Sequence, residues 1–133
     1  MEVELYMSRL AEALEVDENK RNGEWAHRVC VLTREIQEAV FNSRPERKFV
    51  KREVVPLLRR AADAVDRVPR KGRYKNKIND FVGNIRARAD DLEQNYVNGK
   101  PSEFAPAELR ERAANSTKTP EACLETMLNE LKQ

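Results

Sequence analysis

The chain is predicted to be all α, a compact bundle of five or six helices forming a single domain over residues 1–133. Three observations predict this. Apolar residues recur at steps of three and four through nearly the whole chain, the spacing that stacks side chains on one helical face. No window shows sustained alternation of apolar and polar residues, which a half-buried strand would need. The 4 Gly and 6 Pro fall mostly at joints between the periodic stretches. Hydrophobic residues make up 40% and charged residues 36% of the 133, a mixture suited to amphipathic helices around a modest core.

The first helix is expected over residues 2–16, where Val3, Met7, Leu10 and Leu14 keep helical spacing and Leu5, Tyr6, Ala11 and Ala13 widen the stripe. Residues 17–23 are polar and end in Gly23, which is expected to supply a turn. The second helix, residues 24–41, lines up Trp25, Val29, Leu32, Ile36 and Val40. Ser43 followed by Pro45 and Glu46 has the pattern of a capping box that opens a third helix, reaching to residue 68. The apolar side of that helix is Val50, Val54, Leu57, Ala61, Val65 and Val68, and Pro56 removes an interior hydrogen bond, so a bend or split is expected there. A loop marked by Pro69 and Gly72 follows. The fourth helix, residues 74–97, repeats Tyr74, Ile78, Phe81, Ile85, Ala89, Leu92 and Tyr96 in alternating steps of four and three. Gly83 interrupts it, as a cost or as a close-packing point, and Gly99 before Pro101 suits a left-handed cap. A shorter helix over residues 106–114, with Leu109 and Ala113 inward and Phe104 over its start, precedes a last helix after Thr119. Leu124, Met127, Leu128 and Leu131 form its buried side.

The net charge of +2 conceals a basic centre. Residues 44–77 hold thirteen Lys and Arg against four Asp and Glu, whereas residues 1–43 hold 5 against 9 and residues 78–133 hold 7 against 10. Local pairing with Glu46, Glu53, Asp63 and Asp66 leaves a surplus, and crowded like charges repel unless an anion sits among them. On the third helix Arg44, Arg47, Lys48, Lys51, Arg52 and Arg59 recur at steps of three, four and seven. Arg70, Lys71, Arg73, Lys75 and Lys77 follow in and after the loop, with Tyr74 the one aromatic placed for stacking. Such a set neutralises phosphates without reading bases, so the expected partner is a nucleic-acid backbone, with single strands favoured. The long basic loop is unlike the tight turn of a helix-turn-helix. An acidic protein partner for the same arc is the alternative.

Catalytic chemistry is thinly supplied. No Gly-rich phosphate loop, serine elbow or metalloprotease helix is present, so no enzyme activity and no cofactor is expected. The 1 His lacks a second histidine or a close cysteine pair, and no metal is expected. Asp80, Asp90, Asp91 and Glu93 are read as a solvated face, since neighbours on a helix point apart. Cys30 and Cys123 are expected to be reduced and buried. No apolar run approaches the roughly 20 residues of a membrane span, and the first residues lack a signal-peptide pattern, so a cytoplasmic protein is expected.

Two resemblances bear on function. The stretch Arg21-Asn22-Gly23-Glu24-Trp25-Ala26-His27 resembles the Arg-x(4 to 6)-His signature of HEPN ribonucleases. By that resemblance Arg21 would steady a phosphate, His27 would serve in proton transfer and Asn22 would fill the polar position after the arginine. In that family the signature opens a late helix, whereas here it precedes the second and carries a glycine. Second, a basic, all-helical chain of this length without a catalytic set looks like the helical small subunit of CRISPR effector complexes. Those subunits line up in copies within a larger assembly and hold strands by their backbones. This second resemblance implies a non-catalytic subunit with other protein subunits, including copies of itself, as neighbours.

Overall fold

The computed structural model describes residues 2–102, whose regular segments are all helical, with no strand among them. The first helix, α1, spans Glu2–Ala13 and buries Val3, Leu10 and Ala13. Glu2 and Glu4 sit in its first turn, where the positive end of the helix dipole favours carboxylates. It ends earlier than residue 16 because later residues take over its terminal carbonyls. Trp25 Nε1 donates to the Ala13 carbonyl (2.9 Å), and Arg21 donates to those of Leu14 (2.8 Å) and Val16 (3.0 Å).

After a 3-10 turn at Glu18–Lys20, α2 runs over Gly23–Ser43. Asn22 is its N-cap, accepting from the Trp25 N–H at 2.9 Å. Gly23 is thus the first residue of the helix rather than the turn itself. A Cβ there would stand 2.7 Å from Tyr74 Cβ, so glycine is required for the approach of a neighbouring segment. The expected capping box of Ser43 and Glu46 does not form. Helix α2 extends through Ser43, Arg44 closes it in the left-handed conformation (φ 53°), and Glu46 precedes the next helix without a side-chain cap.

That next helix is one rod in three pieces: α3, Arg47–Phe49; a π segment, Val50–Val54; and α4, Val55–Asp66. Pro56 lies in the first turn of α4. A proline inside a plain α-helix meets the carbonyl four residues back. The π segment avoids this by stepping five residues, as in the bond from Val55 N–H to Val50 O. The split expected at Pro56 is therefore a change of winding just before it. Because a π turn holds more residues, everything after Val54 is rotated relative to a straight helix. Leu58, not Leu57, is fully buried, in line with Val50, Val54, Ala61 and Val65.

A short turn at Gly72–Tyr74, with Gly72 at φ 77°, leads to α5, Ile78–Asp91, continued by a π segment at Leu92–Tyr96. The regular helix starts at Ile78 rather than residue 74, since Lys75 and Lys77 bond three residues back, to Gly72 and Tyr74. From Ile78 on, the expected stripe holds: Ile78, Phe81, Ile85, Ala89, Leu92 and Tyr96 are all buried. Gly83 is exposed, and no atom beyond its own stretch of helix lies within 4 Å of where its Cβ would be, so it is a surface glycine and not a close-packing point. Gly99 (φ 77°) closes the rod as expected. Lys100 N–H bonds to Asn95 O (2.8 Å) and Gly99 N–H to Tyr96 O (3.0 Å), a complete Schellman pair.

Helix α5 packs against α2 and α4, and α1 packs against α2. The described residues make one compact unit around a core that includes Leu10, Ile36, Leu58, Ile78, Ile85 and Leu92. The two helices expected over residues 106–114 and after Thr119, and Cys123, lie outside the described residues, as does the rest of the single domain expected to residue 133. Cys30 is buried and free. No described helix is long and apolar enough to cross a membrane.

Candidate nucleic-acid interface

The basic residues expected to form one arc are divided between the two ends of the unit and the rod that joins them. Arg44 and Arg47 sit where α2 ends. The Arg44 guanidinium lies 5.8 Å from the Tyr96 ring centre, and that of Arg47 is 3.0 Å from the place a Gly99 Cβ would occupy. The Tyr96 hydroxyl donates to the carbonyl of buried Pro45. Burial raises the Tyr96 phenol above its ordinary pKa, while the nearby charges of Arg44 and Arg47 act to lower it. The loop cations gather where α2 begins, since Tyr74 touches Gly23. Helix α2 has 21 residues, so the two ends stand roughly 30 Å apart.

Along the rod, Lys48, Lys51, Arg52 and Arg60 are exposed, with no ion pair among the described residues. Arg59 is different. It meets Asp90 at 3.0 Å and also hydrogen-bonds Glu93. Burial would lower its pKa, but the hydrogen bonds to Glu93 and Asp90 and their charges outweigh that and hold it above its ordinary value. The partners come from the neighbouring segment, where Asp90 ends α5 and Glu93 follows it, whereas Arg60, one position on, is exposed. Of the cations expected along the rod, Arg59 is thus already paired with carboxylates, and Arg60, outside the expected set, is an additional exposed cation.

At the loop, Arg70 is also spoken for. It donates to Asp66 Oδ1 (2.7 Å), Asn79 Oδ1 (2.8 Å) and the Val68 carbonyl (2.8 Å), fastening the end of α4 to the start of α5. Arg67 lies 3.7 Å from Glu18, and Arg86 lies 3.4 Å from Asp63 and 3.7 Å from Asp66. Lys71, Arg73, Lys75 and Lys77 remain exposed, without ion pairs among the described residues. Lys71, Gly72, Arg73 and Tyr74 face Asn22, Gly23 and Glu24 across a cleft of about 370 Å³. Tyr74 is half-buried: His27 stacks on it (5.6 Å, 18°) and Arg73 lies over its ring (5.4 Å). The expected stacking residue is thus already stacked.

The HEPN-like stretch is used locally. Arg21 caps α1 and lies 5.0 Å from the Trp25 ring centre, Asn22 caps α2, and His27 lies against Tyr74 and Phe81. Among the described residues no group of three or more His, Cys, Asp and Glu converges as a metal site would require.

One polar feature escaped the sequence reading altogether. Thr33 and Gln37 on α2, with Arg88 and Asp91 on α5 and Asn95 just beyond it, are buried. Asp91 accepts from Gln37 Nε2 (2.8 Å), Asn95 Nδ2 (2.8 Å) and Ser102 Oγ (2.6 Å). Arg88 donates to the Cys30 carbonyl and Thr33 Oγ1, both at 3.1 Å. Asp90 does point outward, but the solvated face expected for Asp91 is corrected: its neighbour's divergence turns it into the core. The steps 30, 33, 37 and 88, 91, 95 are the only signal, and they are the same steps an apolar stripe would use.

Compared with known proteins, the chain matches no family model, no curated protein and no solved structure.

Proposed function

We propose that this protein is a non-catalytic, sequence-independent binder of nucleic-acid backbones, acting in the cytoplasm as a subunit of a larger nucleoprotein or ribonucleoprotein complex. One observation carries the reading. Lys48, Lys51, Arg52, Arg60, Lys71, Arg73, Lys75 and Lys77 are exposed without a carboxylate partner among the described residues, while Asp63 and Asp66 are engaged by other arginines. Exposed cations held apart in this way exchange small counterions for phosphates. A span of roughly 30 Å matches about nine phosphates along one strand of B-form duplex. Arg44 and Arg47 flank the track at one end. The scaffold is read as a five- or six-helix bundle, and the helical small subunits of CRISPR effector complexes are the named example of such a mechanism that this reading favours. Binding to labelled single and double strands across a salt series tests it. A steep loss of affinity with salt is expected, and no binding at physiological salt would overturn it.

A second reading has its own observation. Beside the rod, Met7, Ala11, Phe49 and Leu57 line a mostly apolar hollow whose polar lining is Glu4 and Ser8. An acidic amphipathic helix of a partner protein would suit that hollow and the adjoining cations. In that case the chain is an adaptor, and binding to bare nucleic acid is absent.

A further inference from the structure

We propose that the exposed ring of His27 is a stacking platform for a base of a single-stranded nucleic acid, beside the phosphate-binding side chains Lys71 and Arg73. The inference rests on the backbone-binding reading above and adds a base contact to it. His27 is exposed near the start of α2. One side of its ring is backed by Tyr74, nearly parallel at 5.6 Å and 18°, and Phe81 supports it from 5.6 Å at 47°. Tyr74 is itself fixed, by Gly23 on α2 and by the Arg73 guanidinium 5.4 Å from its ring centre. Among the described residues neither His27 ring nitrogen has a hydrogen-bond partner, and Arg21 is turned away onto α1. The ring is packed on other rings, and its exposed part is the next rung of that ladder.

An exposed aromatic surface next to cations suits a base whose phosphate lies on those cations, and it does so without regard to base identity. Lys71 and Arg73 share a cleft with Tyr74, which brings their charges beside the ladder. Glu24 is the one carboxylate lining that cleft, against the two cations Lys71 and Arg73. Bases within a duplex are already stacked on one another, so the platform selects unpaired strands. The single-strand preference thereby acquires a residue.

The test uses fluorescence anisotropy with a labelled oligothymidylate, the same strand made abasic, and a duplex. His27→Ala and His27→Gln are expected to weaken oligothymidylate binding about tenfold, and His27→Phe to restore it. The abasic strand should bind the parent more weakly and be indifferent to all three substitutions. Thermal melts establish that each variant is folded. Unchanged oligothymidylate affinity in His27→Ala and His27→Gln, or an equal loss on the abasic strand, would overturn the platform while leaving backbone binding in place. Failure of folded His27→Phe to rescue would overturn it too. Failure of the parent to bind any strand would overturn the backbone reading and the platform with it.

Discussion

Replacing Lys48, Arg52 and Arg60 together by glutamine removes three charges from the outer side of the rod without touching the core, since all three are exposed. If these and Lys71, Arg73 and Lys75 engage about six phosphates, the log–log salt slope for a single strand is about −4, at about −0.7 per phosphate. Affinity then falls about 300-fold between about 50 and 200 mM salt. The triple variant halves the slope to about −2, and the same change in salt weakens binding only about 20-fold. The informative control is Arg59→Gln. Its guanidinium is bound to Asp90 and Glu93, so its loss should leave the slope within error of the parent. Anisotropy titrations at several salt concentrations measure both. A slope reduced as much by Arg59→Gln as by Arg60→Gln would refute the reasoning that Asp90 and Glu93 keep Arg59 from the strand.

Other outcomes follow from the packing. Gly23→Ala places a methyl 2.7 Å from Tyr74 Cβ, an atom fixed to the backbone. The loop must move, at a cost of about 1–3 kcal/mol, and a raised melting temperature would refute the close approach. Asp91→Ala leaves Gln37, Asn95 and Ser102 donors without their acceptor, with an expected loss of about 3 kcal/mol in urea denaturation; a loss near zero would mean the seam is not closed. The Tyr96 pKa is raised by burial from its usual 10.0, so the folded state holds that proton more tightly. Its contribution is complete below about 10 and is lost as pH climbs through the folded value. Tyr96→Phe should therefore lower stability at neutral pH by about 1 kcal/mol and flatten the alkaline decline. A decline as steep as the parent's would assign it to other groups.

The fold was legible wherever apolar periodicity ran uninterrupted. Ile78, Phe81, Ile85, Ala89, Leu92 and Tyr96 announce a buried seam, and they are buried. The Gly99 cap was equally plain, because the glycine and the following proline are local signals. The candidate site was less so. Charge density along residues 44–77 is visible in composition, but its division between two ends depends on α2 lying between them. The pairing of Arg59 depends on Asp90 and Glu93 being brought beside it from more than thirty residues away in the chain, which no local signal specifies. Ser43 and Glu46 fit a cap by identity alone, and lost it because α2 persists through Ser43. The Thr33, Gln37, Arg88, Asp91 and Asn95 seam is invisible to hydropathy, since hydrogen-bonded polar side chains there occupy core positions in the same phase as apolar ones.

The five residues from Val50 to Val54 behave as a phase adjuster inside a shaft. Upstream and downstream, the same core line is kept by Val50, Val54, Leu58, Ala61 and Val65, and the solvent-facing charges keep their direction with it. Shortening that segment by one residue, together with Pro56→Ala, would let an unbroken α-helix form. The inner line and the outer charges beyond it would then turn together, so the length of this segment ties the hold of the core to the direction in which the charges look.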